Sequence, residues 1–145
     1  MTTIADLHRR RRDIVETASV IENLMTPEQL SVHAIAKVTH ILLCDLCEMV
    51  TEHLADEHKG LYPNLLTHEE SSVKNMAWGL INNDKLLKPE FSQYKRKWLK
   101  DCEFQFTDAF IEDTRGVLKS LRQRMELEEN TVIPKLERAE ILVTA

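Results

Sequence analysis

The chain has 145 residues, 43% of them apolar, and its 24 acidic against 19 basic side chains leave a formal net charge of −5. Only three Gly and four Pro leave too few tight turns for a sandwich, a barrel or a doubly wound sheet, so composition points to one all-α domain over residues 1–145. The longest apolar stretch, residues 41–44, is far short of the roughly 20 a membrane span needs, no signal-peptide core precedes it, and three cysteines at helical positions argue against a disulfide framework, so a cytoplasmic, non-membrane protein is expected.

Helical periodicity fills four long blocks with breakers between them. Thr3 is placed to cap a first helix running to about Met25. Thr26-Pro27-Glu28-Gln29 joins a capping residue to Pro at the first helical position and predicts a second helix from there to about Leu61, which Pro63 ends or kinks. A third block begins between Glu69 and Ser72 and reaches about Trp98, with Pro89 predicting a kink or break inside it. The fourth starts near Cys102 or Thr107 and runs to Val132, followed by Pro134 and a short tail to Ala145. Short connections make successive helices antiparallel neighbours, hence an up-down-up-down four-helix bundle. An internal repeat supports this pairing: His53 to Leu65 and Arg124 to Leu136 align at a constant offset of 71 residues, with Pro63 matching Pro134.

Each buried stripe, read at spacings of three and four, is interrupted by polar residues. The first helix reads Leu7, Arg11, Ile14, Ala18, Ile21, Met25, and the second Ile35, Thr39, Leu42, Leu46, Met49, His53, Glu57. The third reads Val73, Ala77, Leu80, Asp84, Leu87, Phe91. The fourth reads Phe106, Phe110, Val117, Leu121, Arg124, Glu128, Val132, with Asp113 or Thr114 at the weak position. Buried singly, such groups would cost several kcal/mol each. A stable bundle needs Arg11, His53, Glu57, Asp84, Arg124 and Glu128 to meet one another or a metal.

The segment His53-Leu54-Ala55-Asp56-Glu57 with Leu61-Tyr62-Pro63 resembles the H-x-x-x-E and aromatic-Pro signature of hemerythrin-like (HHE cation-binding) four-helix bundles. Phe110 through Arg124 and Glu128 to Pro134 resembles its second copy, and the segments around Leu7 to Ile14 and Leu80 to Leu87 resemble the first and third helices. The resemblance implies a di-iron centre held by one His from each of the first and third helices and an H-x-x-x-E pair from each of the others. His53, Glu57 and Glu128 match ligands, whereas Arg11, Asp84 and Arg124 stand where histidines are expected; a shift of one turn would bring His8 to the place of Arg11. Guanidinium has no lone pair to donate and stays charged, so two Arg oppose a metal and neutralise carboxylates instead. The expectation is a non-enzymatic regulatory or protein-interaction module with no cofactor, its di-iron site replaced by an Arg/carboxylate network. The alternative is a sensor of oxygen, nitric oxide or redox state that binds a di-iron pair or a single metal ion through His53, Glu57, Asp84 and Glu128.

Other features carry less chemistry. Arg9-Arg10-Arg11-Arg12 places Arg11 inward and leaves Arg9, Arg10 and Arg12 for solvent or an acidic protein partner, while the acidic balance argues against nucleic acid. Residues 94–100 form a second basic patch with two aromatics. Cys44 and Cys47 have redox spacing but sit mid-helix, where nothing lowers a thiol pKa, so small core residues are expected. No phosphate loop or nucleophile motif is present.

Overall fold

A computed structural model of the protein describes residues 2–100 and 107–141. Four long helices form the body: α1 (Ile4–Leu24), α3 (His33–Gly60), α5 (Ser71–Tyr94) and α6 (Asp108–Leu127). Three short ones accompany them: α2 (Pro27–Leu30), α4 (Tyr62–Leu66) and α7 (Ile133–Arg138). There is no strand among the described residues. The architecture is the all-α bundle that the periodicity predicts, with α1 against α3, α5 against α6, and α1 and α6 closing the ring.

Three threonines start helices. Thr3 forms a reciprocal capping box with Asp6, each accepting the other's backbone N–H at 3.0 Å, while Thr26 and Thr107 accept from the backbone N–H of Gln29 and Phe110. The block read as one helix from Thr26 to Leu61 is divided, because Val32 is extended and the Ser31 hydroxyl turns back to the Glu28 carbonyl. Pro63 acts as foreseen, starting α4 after a break at Leu61. Pro89 does not break α5. Both Pro89 and Lys85, whose carbonyl loses its helical partner, are exposed, so water can satisfy that carbonyl. Thr107 rather than an earlier residue caps α6; Cys102, Phe106 and the tail beyond residue 141 lie outside the described residues.

Cross-helix contacts fix the antiparallel order. Thr17 meets Met49 and Arg10 meets His53 between α1 and α3; Tyr94 meets Thr114, Glu90 meets Ser120 and Asp84 meets Arg124 between α5 and α6. The core is two apolar bodies. One, built around Ile14, Leu46, Leu87, Phe110 and Leu121, fills one half of the bundle. The other joins Leu7, Leu61, Tyr62, Leu80, Ile133 and Leu136 near the chain ends. The repeat is visible in this second body, since Leu61 and Val132, Tyr62 and Ile133, and Leu65 and Leu136 are partners at the 71-residue offset. Thr114, not Asp113, fills the weak position of the α6 stripe, fully buried and bonded to Tyr94 at 2.6 Å.

Candidate functional site

Between the two apolar bodies lies a charged layer. α3 places His53 and Glu57 one turn apart, α5 contributes Asp84, and the last turn of α6 carries Arg124, one turn before Glu128; all five are buried. Glu128 opens a π-helical turn, Glu128–Val132, that leads into α7. Such wide turns recur inside α-helices at functional positions.

Arg124 is the hub, the largest of the fully buried side chains at 1% exposure. Its Nε donates to Glu128 Oε2 at 2.8 Å. Nη1 donates to Asp84 Oδ1 and Asn83 Oδ1, both at 2.7 Å, and Nη2 to Glu57 Oε1 at 3.1 Å and Tyr62 OH at 3.0 Å. The Tyr62 hydroxyl in turn donates to Asp84 Oδ2 at 2.6 Å. His53 Nε2 lies 2.8 Å from Glu128 Oε1 and 3.2 Å from Glu57 Oε1. Glu57 Oε2 has no hydrogen-bond partner.

These contacts set the protonation states. Burial, followed by the Glu128 charge, pushes the Glu57 carboxyl up to about 8 against the pull of His53 and Arg124. Burial works on Glu128 in the same direction, but the hydrogen bond and charge of His53 and the charge of Arg124 outweigh it and hold this carboxyl below its ordinary value. For His53, burial favours the neutral ring, yet the bond to Glu128 and the charges of Glu128 and Glu57 lift its pKa above the usual imidazole value. Burial likewise raises the Tyr62 phenol, which stays protonated. Arg10 adds a condition: its Nε–H points at His53 Nδ1 at 3.3 Å, a bond that needs the Nδ1 lone pair. The imidazolium ring and the Arg10 contact therefore exclude one another, whereas the bond to Glu128 survives in either state.

Five of the six residues singled out in the sequence meet in this layer. Arg11 does not. Its Nε donates to the Met125 carbonyl at 3.0 Å and its Nη2 pairs with exposed Glu129. Arg10, placed on the surface by periodicity, reaches inward instead. Both sit at the edge of the α1 stripe, and their long stems let the heads swing to whichever partner is nearer. His8 offers no replacement ligand, being exposed beside Glu137. Tyr62 and Asn83 were not singled out as members of the layer, although Tyr62 belongs to the aromatic-Pro signature. Elsewhere, Cys47 is buried with its thiol pushed up to about 12, chiefly by burial, which removes nucleophilic character. The two basic patches line separate clefts, and Lys97 of the second is paired with Asp113 at 3.0 Å.

The model of the hemerythrin HHE cation-binding domain matches residues 2–136. The chain belongs to that family. No curated protein and no solved structure matches it. Members of the hemerythrin family are typically non-catalytic oxygen- or metal-binding proteins. This hemerythrin-like bundle carries a reduced cluster, His53, Glu57 and Glu128, whose ligand atoms lie within 4.8 Å of one another, and no larger ligand group forms among the described residues. That set does not fit a di-iron centre. The Arg124 guanidinium bonds to both glutamates, so a fixed positive charge stands where the family's fourth-helix histidine would, and Asp84 is engaged by Arg124 and Tyr62.

Proposed function

We propose that the protein is a non-enzymatic regulatory or protein-interaction module of one domain, in which a salt-bridge network takes the place of the family's metal centre. The observation that carries this reading is Arg124, whose guanidinium reaches Glu57, Asp84 and Glu128 at 2.7–3.1 Å with no exposure of its own. A cation held by a covalent stem cannot be exchanged, so the layer supplies structure rather than ligand chemistry. Function then resides on the surface of the bundle. The partner is another protein, and exposed Arg9 and Arg12 on α1 suit an acidic one. None of the described helices is long and apolar enough to cross a membrane, and the cytoplasm is the compartment we assign.

A second reading, a metal-binding sensor of oxygen, nitric oxide or redox state, draws support from the compact His53, Glu57, Glu128 group and the unpartnered Glu57 Oε2, with Asp84 as a further ligand if Arg124 withdraws. One measurement separates the two. Protein from iron-supplemented cells, analysed for metals by mass spectrometry, is expected to be colourless and to hold far less than one iron per chain. Coloured protein with near-stoichiometric iron overturns the metal-free reading. Arg124→His, which removes the resident cation and restores the family's ligand type, should raise the bound iron.

A further inference from the structure

We propose that a second copy of the chain docks on this one, the outer stripe of α5 on one copy lying parallel to the outer stripe of α3 on the other. The contact does not involve Arg9 or Arg12 and supplies a partner that the reading above leaves unnamed.

Along α3 run Val38, Ile41, Asp45 and Glu48, and along α5 run Trp78, Ile81, Lys85 and Lys88. Both sets are spaced three, four and three residues apart, so each follows one line along its helix. The offset between them is 40 residues at every step, which sets Val38 against Trp78, Ile41 against Ile81, Asp45 against Lys85 and Glu48 against Lys88. Carried along the whole of α3, the same offset adds Asp56 opposite Arg96 and brings no two like charges together. The match is specific to a parallel pair. With one helix reversed and the apolar pairs kept, Lys85 would face Ala34 and Lys88 would face Ser31, and only Asp45 would find a lysine, Lys74.

Within one chain the stripes do not meet, because both face solvent. Val38, Ile41 and Trp78 are 50%, 51% and 53% exposed. Asp45, Glu48, Lys85 and Lys88 are exposed and make no ion pair among the described residues. No acidic residue of α5 is exposed, since Asp84 is buried and Glu90 is half-buried against the Ser120 hydroxyl, although the chain as a whole carries −5. Large apolar groups half open to water, continued by unpaired charges of one sign, have the anatomy of an interface whose other side carries the opposite sign. An anionic lipid surface would satisfy α5 alone, whereas a second copy satisfies both stripes. Because the contact joins two different faces, a pair leaves one of each open to further copies.

The test is sedimentation velocity of the full chain from micromolar to millimolar concentration, at low and at high salt. Wild-type mass should rise above the monomer with concentration and fall back in high salt, which screens the ion pairs. Lys85→Glu with Lys88→Glu, and separately Asp45→Lys with Glu48→Lys, should each weaken association by about tenfold or more, because like charges then face one another. An equimolar mixture of the two variants should associate again, since each supplies the stripe that the other has reversed. Trp78→Ala should weaken association, and Lys119→Glu, a reversal at an exposed position outside both stripes, should leave it unchanged. All these positions except Ile81 are exposed, so circular dichroism should report an intact fold in every variant. A wild-type chain that stays monomeric throughout, association that survives either double reversal, or a mixture that stays monomeric overturns the proposal. Monomeric protein that co-sediments with phosphatidylserine vesicles, and loses this with Lys85→Glu and Lys88→Glu, would assign the α5 stripe to an anionic surface instead.

Discussion

Replacing Arg124 with Met keeps a long stem in the core and deletes only the charge and its donors. Wild-type Arg124 serves Glu57, Asp84 and Glu128, and each loses something different. Glu57, whose carboxyl is pushed up by burial and by the Glu128 charge, takes up a proton most readily in place of the lost cation and suffers least. Asp84 keeps the Tyr62 hydroxyl and Glu128 keeps His53, but Asp84 loses the one cation it is paired with among the described residues and Glu128 loses one of two. Breaking a buried ion pair from one side costs about 3–5 kcal/mol. With a urea slope of about 2 kcal/mol/M for a chain of this size, the unfolding midpoint should fall by about 2 M. The assay is urea unfolding followed by far-ultraviolet circular dichroism at pH 7 and again at pH 4.5. The deficit should shrink in acid, where Glu128, no longer held low by Arg124, can take up a proton. Arg12→Ala, at an exposed position, should stay within a few tenths of a kcal/mol of wild type. A midpoint for Arg124→Met close to that of Arg12→Ala, or a deficit that does not change with pH, would refute the network as a source of stability.

Three further expectations follow from the same layer. Glu57 is raised from 4.5 to about 8, so the folded state holds an extra proton across that window, and its contribution, full below 4.5, is lost as pH rises through 8. His53, raised above 6.5, adds to the decline on the alkaline side, while the lowered Glu128 loses its contribution only as pH falls below 4.5. Wild-type urea midpoints should therefore fall between about pH 5 and 8, Glu57→Gln should flatten that slope, and parallel profiles would count against it. Tyr62→Phe removes a donor to Asp84 and an acceptor for Arg124 and should cost about 1–3 kcal/mol in thermal or urea unfolding. Arg11→Ala loses one bond to the Met125 carbonyl and a pair with an exposed carboxylate, so about 1 kcal/mol is expected in the same assay, well short of the Arg124 effect.

How far the sequence speaks can be judged from particular residues. His53, Glu57, Asp84, Arg124 and Glu128 were legible because each interrupts an apolar stripe at a phase that leaves it no route to water. The exchange of roles between Arg10 and Arg11 was not legible. In a run of four arginines on the stripe edge, Cα phase says little about where a head group several bonds away will settle, and the choice depends on His53 and Glu129 in other helices. Tyr62 escaped for a different reason: it follows a helix break, where periodicity stops. The division of α2 from α3 depends on a local hydroxyl-to-carbonyl bond at Ser31 that no spacing rule encodes. The wide turn at Glu128–Val132 is hidden by the repeat itself, since its counterpart in the first copy reaches the same phase through a break at Leu61.

Apolar stripes are poor rulers. Leu against Leu packs almost as well after one helix slides past its neighbour by a turn, about 5.4 Å, because the pattern nearly repeats. The charged layer removes that ambiguity. With Arg124 tied to Asp84 on α5, Glu57 on α3 and Glu128 on its own helix, and His53 reaching from α3 to Glu128, a slide of any of these three helices opens at least one buried ion pair while leaving the oily contacts nearly intact. Arg11, clipped to the Met125 carbonyl, fixes the height of α1 against α6 in the same way. Where the family's metal would index the helices to a common height, an arginine at the fourth-helix ligand position ties three of them together through its own ion pairs.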